Sequence, residues 1–178
     1  MAVLVEGISV IIKRSVIGEK FPGGWEAFVE DVPNRTLCAD DELARVGFMA
    51  PLDAEEYVQH LINNGFEYLS EGMAVDLVVA DQLRGLAAKC DWCEFGQTSG
   101  GGNNLDRIAG CRAVGSRVTT LVCPEGWHYE GSLSQMYAFV PSADIEKSMK
   151  FLRHEKGLDV YLNELTGKEV YVGCNGES

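Results

Sequence analysis

The chain has little positive charge. Its 178 residues include 15 Lys and Arg against 27 Asp and Glu, a formal net charge of −12. Because nucleic-acid affinity rests mainly on neutralising phosphates with Lys and Arg, this composition disfavours a nucleic-acid partner. Anionic membrane surfaces are disfavoured for the same reason. A basic protein is the favoured partner, since an acidic surface steers a cationic one towards it.

Long hydrophobic runs are also missing. No segment approaches the roughly 18 apolar residues of a membrane-spanning helix. The first residues, MAVLVEGISVIIKRS, are apolar, but Glu6 interrupts them and the basic pair Lys13 and Arg14 follows them. A signal peptide has its basic residues before the apolar stretch. The sequence therefore predicts a cytoplasmic protein that makes no membrane contact.

Recognisable catalytic and metal-binding motifs are scarce. Cys90 and Cys93 form one CxxC, but a zinc ribbon needs a second such pair, which is absent. The glycines at 100–102 are not followed by the Gly-Lys-Ser/Thr of a phosphate-binding loop. The six cysteines are expected to be free thiols, because no secretory signal is present. We therefore predict no catalytic residue, no metal and no cofactor, and the sequence favours a protein that is not an enzyme.

Two stretches of the chain resemble each other. Both contain Pro-x-Gly-Trp, with Trp25 in the first and Trp127 in the second. A second alignment matches residues 43–69 to 134–162, and it sets Asp53 against Asp144. Such self-similarity predicts an internally duplicated fold.

Periodicity predicts the elements of each unit. A helix is expected from Asp53, which would cap it, to about residue 63, where Asn64 and Gly65 would end it. A second is expected at 143–155, with Met149 and Leu152 on its buried face. The remaining predictions are a short helix at 23–32, strands at 7–13, 43–49, 107–114, 117–123 and 133–140, a strand at 74–80 with a hairpin partner at 90–95, and a hairpin over 159–173.

Together these elements predict an α+β fold. Residues 1–97 and 105–178 would form two β(α)βαββ units within one compact domain, with a Gly-rich loop or hairpin tip at 98–104 between them. The sheet would be mainly antiparallel, with the helices packed on one face.

The paired tryptophans are the strongest aromatic signal. The simpler interpretation is that Trp25 and Trp127 each anchor a core. The alternative is a pocket between the units, flanked by Trp25 and Trp127 and completed by His128 and Tyr129, because concave sites combine aromatic side chains with a few polar groups.

The acidity is uneven along the chain. Residues 1–97 hold 17 acidic and 7 basic groups, a net charge of −10, and residues 98–178 hold 10 and 8, a net charge of −2. Within the acidic half, Asp40, Asp41 and Glu42 are the leading candidates for a partner contact. The favoured hypothesis is a non-catalytic module that presents an acidic surface to a basic protein. The alternative is a small-molecule-binding protein or enzyme that uses the pocket, and the sequence leaves homo-oligomers open.

Overall fold

The computed structural model describes residues 2–99, 107–117, 120–129, 132–134, 149–155, 158–163 and 168–173. The helices are α1 (Arg14–Lys20), α2 (Gly24–Asp31) and α3 (Pro51–Asn63). The strands are β1 (Ala2–Val5), β2 (Ile8–Lys13), β3 (Cys38–Ala39), β4 (Leu43–Phe48), β5 (Leu69–Ser70), β6 (Met73–Ala74), β7 (Leu77–Asp81), β8 (Gly85–Leu86), β9 (Cys93–Ser99), β10 (Arg107–Ala113), β11 (Leu121–Val122), β12 (Met149–Glu155), β13 (Leu158–Asn163) and β14 (Lys168–Gly173).

Two larger sheets organise the described chain. One has the order β3-β4-β2-β7-β8 and is antiparallel throughout. The other has the order β11-β1-β10-β9, in which only the β1–β11 pair is parallel. A three-stranded antiparallel sheet, β12-β13-β14, and the small β5–β6 pair complete the ladders. The mixed helix and mainly antiparallel sheet composition that the sequence predicts is confirmed.

The side chains of β2 point alternately into two hydrophobic cores. Val10 and Ile12 belong to a core that includes side chains from all three described helices. Ile11 belongs to a second core, together with residues of β1, β9 and β10. Because successive side chains of a strand point to opposite faces, the five-stranded sheet has the helices on one side and the four-stranded sheet on the other.

Local sequence signals locate α3, although its start differs from the prediction. The helix begins at Pro51 with Ala50 as its N-cap, so the expectation that Asp53 caps it is wrong. Proline suits the first helical position because its missing N–H has no partner there in any case. Asp53 lies in the first turn, where its charge favours the positive end of the helix dipole. At the other end, Gly65 adopts a φ of 98°, a left-handed conformation that stops the helix.

The predicted helix at 143–155 is wrong where the structure describes it. Residues 149–155 form strand β12, paired antiparallel with β13, and residues 143–148 lie outside the described part. Phe151 is 54 % exposed and Leu152 is 38 % exposed, so the segment does not bury an apolar helical face. The three-residue spacing of Met149 and Leu152 fits a helix, but this segment instead pairs as a strand with β13 of the adjacent hairpin.

The predicted hairpin between 74–80 and 90–95 is also wrong. Strand β7 pairs with β2 and β8, whereas β9 pairs with β10. Ser99 lies opposite Arg107, so the Gly-rich stretch connects two neighbouring antiparallel strands. The hairpin predicted at 159–173 forms as β13 and β14. The strand predicted at 133–140 lies almost wholly outside the described residues.

The longest described part of the alignment pairs a helix with a strand. Residues 58–63 belong to helix α3, and the residues aligned with them, 149–154, belong to strand β12. The boundary between the proposed units also crosses continuous sheet, since β1 pairs with both β10 and β11. The duplication therefore stays a prediction.

In the described part of the chain, none of the helices is both long and apolar enough to cross a membrane.

Candidate functional site: the acidic helical face and the acidic turn

Six of the 17 acidic side chains in residues 1–97 lie on two helices. Helices α2 and α3 together contain six carboxylates and no Lys or Arg. All six residues are exposed. We call this set the acidic helical face: Glu26, Glu30, Asp31, Asp53, Glu55 and Glu56.

The two helices are joined at this face by a side-chain bridge. His60 Nε2 of α3 lies 2.6 Å from Asp31 Oδ2 at the end of α2. The imidazole also stacks on the ring of Tyr57, which is tilted against Phe48 beneath it. Burial raises the pKa of the Tyr57 phenol, and the nearby Asp31 carboxylate raises it further. The bridge places Asp31, at the end of α2, beside α3.

Apolar side chains are exposed on the same two helices. Val29 of α2 is 42 % exposed, and Leu52 and Ile62 of α3 are 63 % and 38 % exposed. Single exposed hydrophobic residues are common on protein surfaces. Their occurrence among six carboxylates gives the face a mixed chemistry, suited to a partner with both cationic and apolar side chains.

The carboxylates repel one another on the free protein. Glu26 and Glu30 are four residues apart on α2, a spacing at which like charges destabilise a helix by about 0.2–0.5 kcal/mol. The described structure gives these two side chains no cationic partner. A positively charged partner would relieve this repulsion.

The predicted contact at residues 40–42, which we call the acidic turn, lies between β3 and β4. Asp40 is buried, and its Oδ1 accepts hydrogen bonds from the backbone N–H groups of Glu42 and Leu43, each at 2.7 Å. Its carboxylate thus holds the turn instead of facing a partner. Asp41 and Glu42 are exposed.

A shallow depression of about 260 Å³ adjoins the acidic turn. Its lining consists of Lys13, Ser15, Asp41, Glu42, Leu43, Trp92 and Ala113. Lys13 Nζ lies 5.0 Å from the centre of the Trp92 ring, a cation–π contact. The ammonium group places positive charge beside Asp41 and Glu42, so the acidic turn is a more mixed surface than the acidic helical face.

The predicted pocket residues are not brought together. Trp25 packs against the core on the helical side, where it stacks on Phe28 and under the Arg14 guanidinium, 3.9 Å away. Trp127 packs against the core between the two larger sheets. The five-stranded sheet therefore separates the two indoles. His128 is exposed and Tyr129 is half-buried, and both follow Trp127 in the segment after β11.

The CxxC cysteines lie at the start of β9. Cys93 is buried and Cys90 is half-buried. Burial raises the pKa of the Cys90 thiol, and a hydrogen bond with the Cys111 thiol, together with burial, raises that of Cys93. Cys38, Cys111 and Cys123 are also free thiols, and Cys174 lies outside the described residues. Among the residues described, no group of three or more His, Cys, Asp or Glu side chains is placed to hold a metal ion.

Sequence reasoning missed a buried arginine. Arg45 of β4 is 3 % exposed and faces the core between the sheets. Its guanidinium donates hydrogen bonds to Ser9 Oγ at 2.9 Å, to the Thr36 carbonyl at 3.0 Å and to the Glu6 carbonyl at 3.0 Å. Desolvation lowers its pKa. The sequence contains one sign of this burial, because Arg45 is the single charged residue in the apolar strand LARVGF.

Glu6 connects this region to a distant segment. Its Oε1 accepts a hydrogen bond of 2.9 Å from the Ser134 backbone N–H and another of 2.5 Å from the Ser134 hydroxyl. Gln82 contacts the same hydroxyl, and its own Oε1 accepts a hydrogen bond from the Gly7 N–H. Buried polar groups that are satisfied in this way fix one arrangement of the chain, which points to a structural role.

Comparison with protein-family models, with curated proteins and with solved structures finds no match for this chain.

Proposed function

We propose that this chain is a non-catalytic protein-binding module whose acidic helical face takes a basic partner. One observation carries the proposal: six exposed carboxylates on α2 and α3, with no Lys or Arg on either helix. The expected location is the cytoplasm.

The chemistry of the face defines the partner. Val29, Leu52 and Ile62 supply apolar contact area between the carboxylates. The complementary surface is an amphipathic segment with Lys or Arg next to aliphatic side chains, since such helices lay their apolar face against hydrophobic surface. Opposite charge speeds encounter and selects the partner, and burial of the apolar side chains adds affinity.

The acidic turn makes a smaller contribution in this proposal. Asp41 and Glu42 are exposed, but Lys13 lies beside them and Asp40 is turned inward. We therefore place the primary contact on the acidic helical face. The alternative of a ligand pocket between two duplicated units draws no support from Trp25 and Trp127, which pack on opposite sides of a sheet.

The experiment uses a synthetic amphipathic helix of Lys and Leu as the probe. The variant is Glu30→Gln, Glu55→Gln and Glu56→Gln, which avoids Asp31 with its His60 bridge and the first-turn residues Glu26 and Asp53. Each exposed charge pair contributes about 0.2–1 kcal/mol. We therefore expect the three changes to weaken binding about tenfold at low salt.

A matched control removes the same charge from elsewhere. Glu71, Asp91 and Glu125 are exposed and lie outside α2 and α3. The variant Glu71→Gln, Asp91→Asn and Glu125→Gln has the same net charge as the test variant, and it is expected to bind the probe within about twofold of the parent. Equal weakening by both triple variants would mean that net charge alone attracts the probe, and the proposed site would be wrong.

A further inference from the structure

Within the described part of the chain, strand β9 is paired along one edge only. Its seven residues, Cys93–Ser99, all pair with β10 on one side. On its other side, no strand of the described chain pairs with it, because β9 ends the order β11-β1-β10-β9. An unpaired edge presents backbone N–H and C=O groups that can pair with another strand.

The usual protection of an edge strand is weak here. Proteins blunt such edges with short strands, prolines, bulges or outward charges, especially Lys. In contrast, β9 is seven residues long, contains no Pro or Lys, and pairs with β10 without a register shift. Its one charged side chain, Glu94, forms an ion pair with Arg112 of β10.

The strand is able to pair with itself. In an antiparallel pair centred on Gly96, Glu94 would lie opposite Thr98 and Phe95 opposite Gln97 of the other copy. No like charges face each other in this register. Gly96 and Gln97 are both exposed at the middle of the strand.

The charge of the molecule also permits self-association at this place. The net charge of −12 opposes the meeting of two copies at most surfaces. Strands β9 and β10, however, contain two Arg and one Glu, a local net charge of +1. The carboxylates of the acidic helical face lie on the other side of the five-stranded sheet from β9.

We propose that a second copy of this chain pairs antiparallel with the edge of β9 that lies opposite β10 and has no partner strand in the described chain, about a twofold axis through Gly96. The two four-stranded sheets then form one continuous sheet of eight strands. The contact is isologous, so it closes as a dimer. This surface is separate from the acidic helical face, and the inference does not depend on the proposed function.

Gly96 offers a clean pair of variants. A Cβ added there meets no heavy atom within 4 Å, and its φ is not in the left-handed region, so a side chain fits the monomer. Gly96→Lys places two ammonium groups directly opposite each other across the twofold axis, where like charges are unfavourable. Gly96→Thr adds a side chain that favours strands, without charge.

Sedimentation velocity measures the association over total concentrations from about 5 to about 500 µM, because one strand pair is a small interface and a weak dimer is expected. The parent should shift towards twice its 19.5 kDa mass as concentration rises. Gly96→Lys should weaken the dimer about fivefold, and Gly96→Thr should retain it. Amide hydrogen exchange of 93–99 should slow with increasing concentration.

A parent that stays monomeric over the whole range would overturn the proposal. So would a dimer that Gly96→Lys and Gly96→Thr affect equally, or one that leaves exchange in 93–99 unchanged. Circular dichroism of both variants verifies that the monomer fold is kept.

Discussion

Replacement of Gly47 by alanine should damage the structure through the buried Arg45. A Cβ built on Gly47 would lie 2.2 Å from Nη2 and 2.5 Å from Cζ of the Arg45 guanidinium. The φ of Gly47 is not in the left-handed region, so the cost comes from space and not from the backbone conformation. The guanidinium has to move, although it is buried on a strand at the centre of the fold.

The magnitude follows from the contacts that are lost. Nη2 of Arg45 donates to the Glu6 carbonyl, and Nε donates to Ser9 Oγ. Overpacking a core costs about 1–3 kcal/mol, and a buried donor that loses its acceptor costs about 1–3 kcal/mol, or more when it is charged. We expect Gly47→Ala to lower the free energy of unfolding by about 2–4 kcal/mol.

Urea unfolding followed by tryptophan fluorescence measures this change. Gly96→Ala is the control, because its Cβ meets nothing and alanine is favoured over glycine in a strand interior by about 0.5–1 kcal/mol. In the double variant Gly47→Ala with Arg45→Met, the flexible Met side chain relieves the clash. The double variant should therefore lose about 1–3 kcal/mol less free energy of unfolding than the sum of the losses in the two single variants.

Equal stability of Gly47→Ala and Gly96→Ala would contradict this prediction, and so would additive effects of Gly47→Ala and Arg45→Met. Either result would mean that the guanidinium does not occupy the space above Gly47.

The remaining predictions concern a helix, an ion pair and a thiol. Gly18→Ala should raise the thermal midpoint, because Gly18 lies on α1 with open space at its Cβ position and alanine is favoured in helices by about 1 kcal/mol; a lowered midpoint would contradict this. Lys20→Met should lower the free energy of unfolding by about 1 kcal/mol at pH 7, because the Lys20 ammonium lies 2.6 Å from the buried Asp76 carboxylate. The effect is kept this small because the Lys20 side chain is 36 % exposed and therefore screened by solvent. The hydrogen bond to Asp76 raises the pKa of Lys20 above 10.5, so the ion pair stabilises the fold fully below that pH and its contribution is lost as the pH rises through the folded pKa. Urea unfolding of the parent and of Lys20→Met is compared between pH 9 and about 12. A difference in the free energy of unfolding that stays constant over this range would contradict the pairing. Burial raises the pKa of the Cys38 thiol to about 11. Iodoacetamide at neutral pH should therefore label this site only after unfolding, and rapid labelling of the native protein, seen by peptide mass spectrometry, would contradict the burial.

Elements with a strong local signal were predictable from the sequence. The run ISVIIK is β-branched and apolar, and it forms β2 at the centre of a sheet. In α3, Tyr57, Val58 and Leu61 recur at helical spacing and are buried. In these segments the local pattern and the tertiary environment favour the same structure.

Elements that depend on distant partners were not predictable. Met149 and Leu152 are spaced as in a helix, but the same residues form β12 because a neighbouring hairpin supplies a ladder. The sequence predicts that the segment of β9 pairs with the nearest preceding strand, whereas its partner is β10. Hydrophobic periodicity does not record which distant edge a strand will meet.

The acidic surface was predictable in amount but not in position. Composition locates the excess charge in residues 1–97, and only the structure shows that six of these carboxylates are exposed on α2 and α3, which the Asp31–His60 bridge joins. The acidic run at 40–42 favours Asp40 as a partner contact. In the fold its carboxylate accepts backbone hydrogen bonds, as Asp often does in turns.

The acidic helical face is tested most directly by hydrogen exchange of the whole chain with and without a saturating concentration of the Lys-Leu probe peptide. Exchange is expected to slow in α2 and α3, around Glu30 and Glu56, and the slowing should diminish as salt screens the carboxylates. Slower exchange confined to the acidic turn at residues 40–42, or spread evenly over the surface, would contradict it.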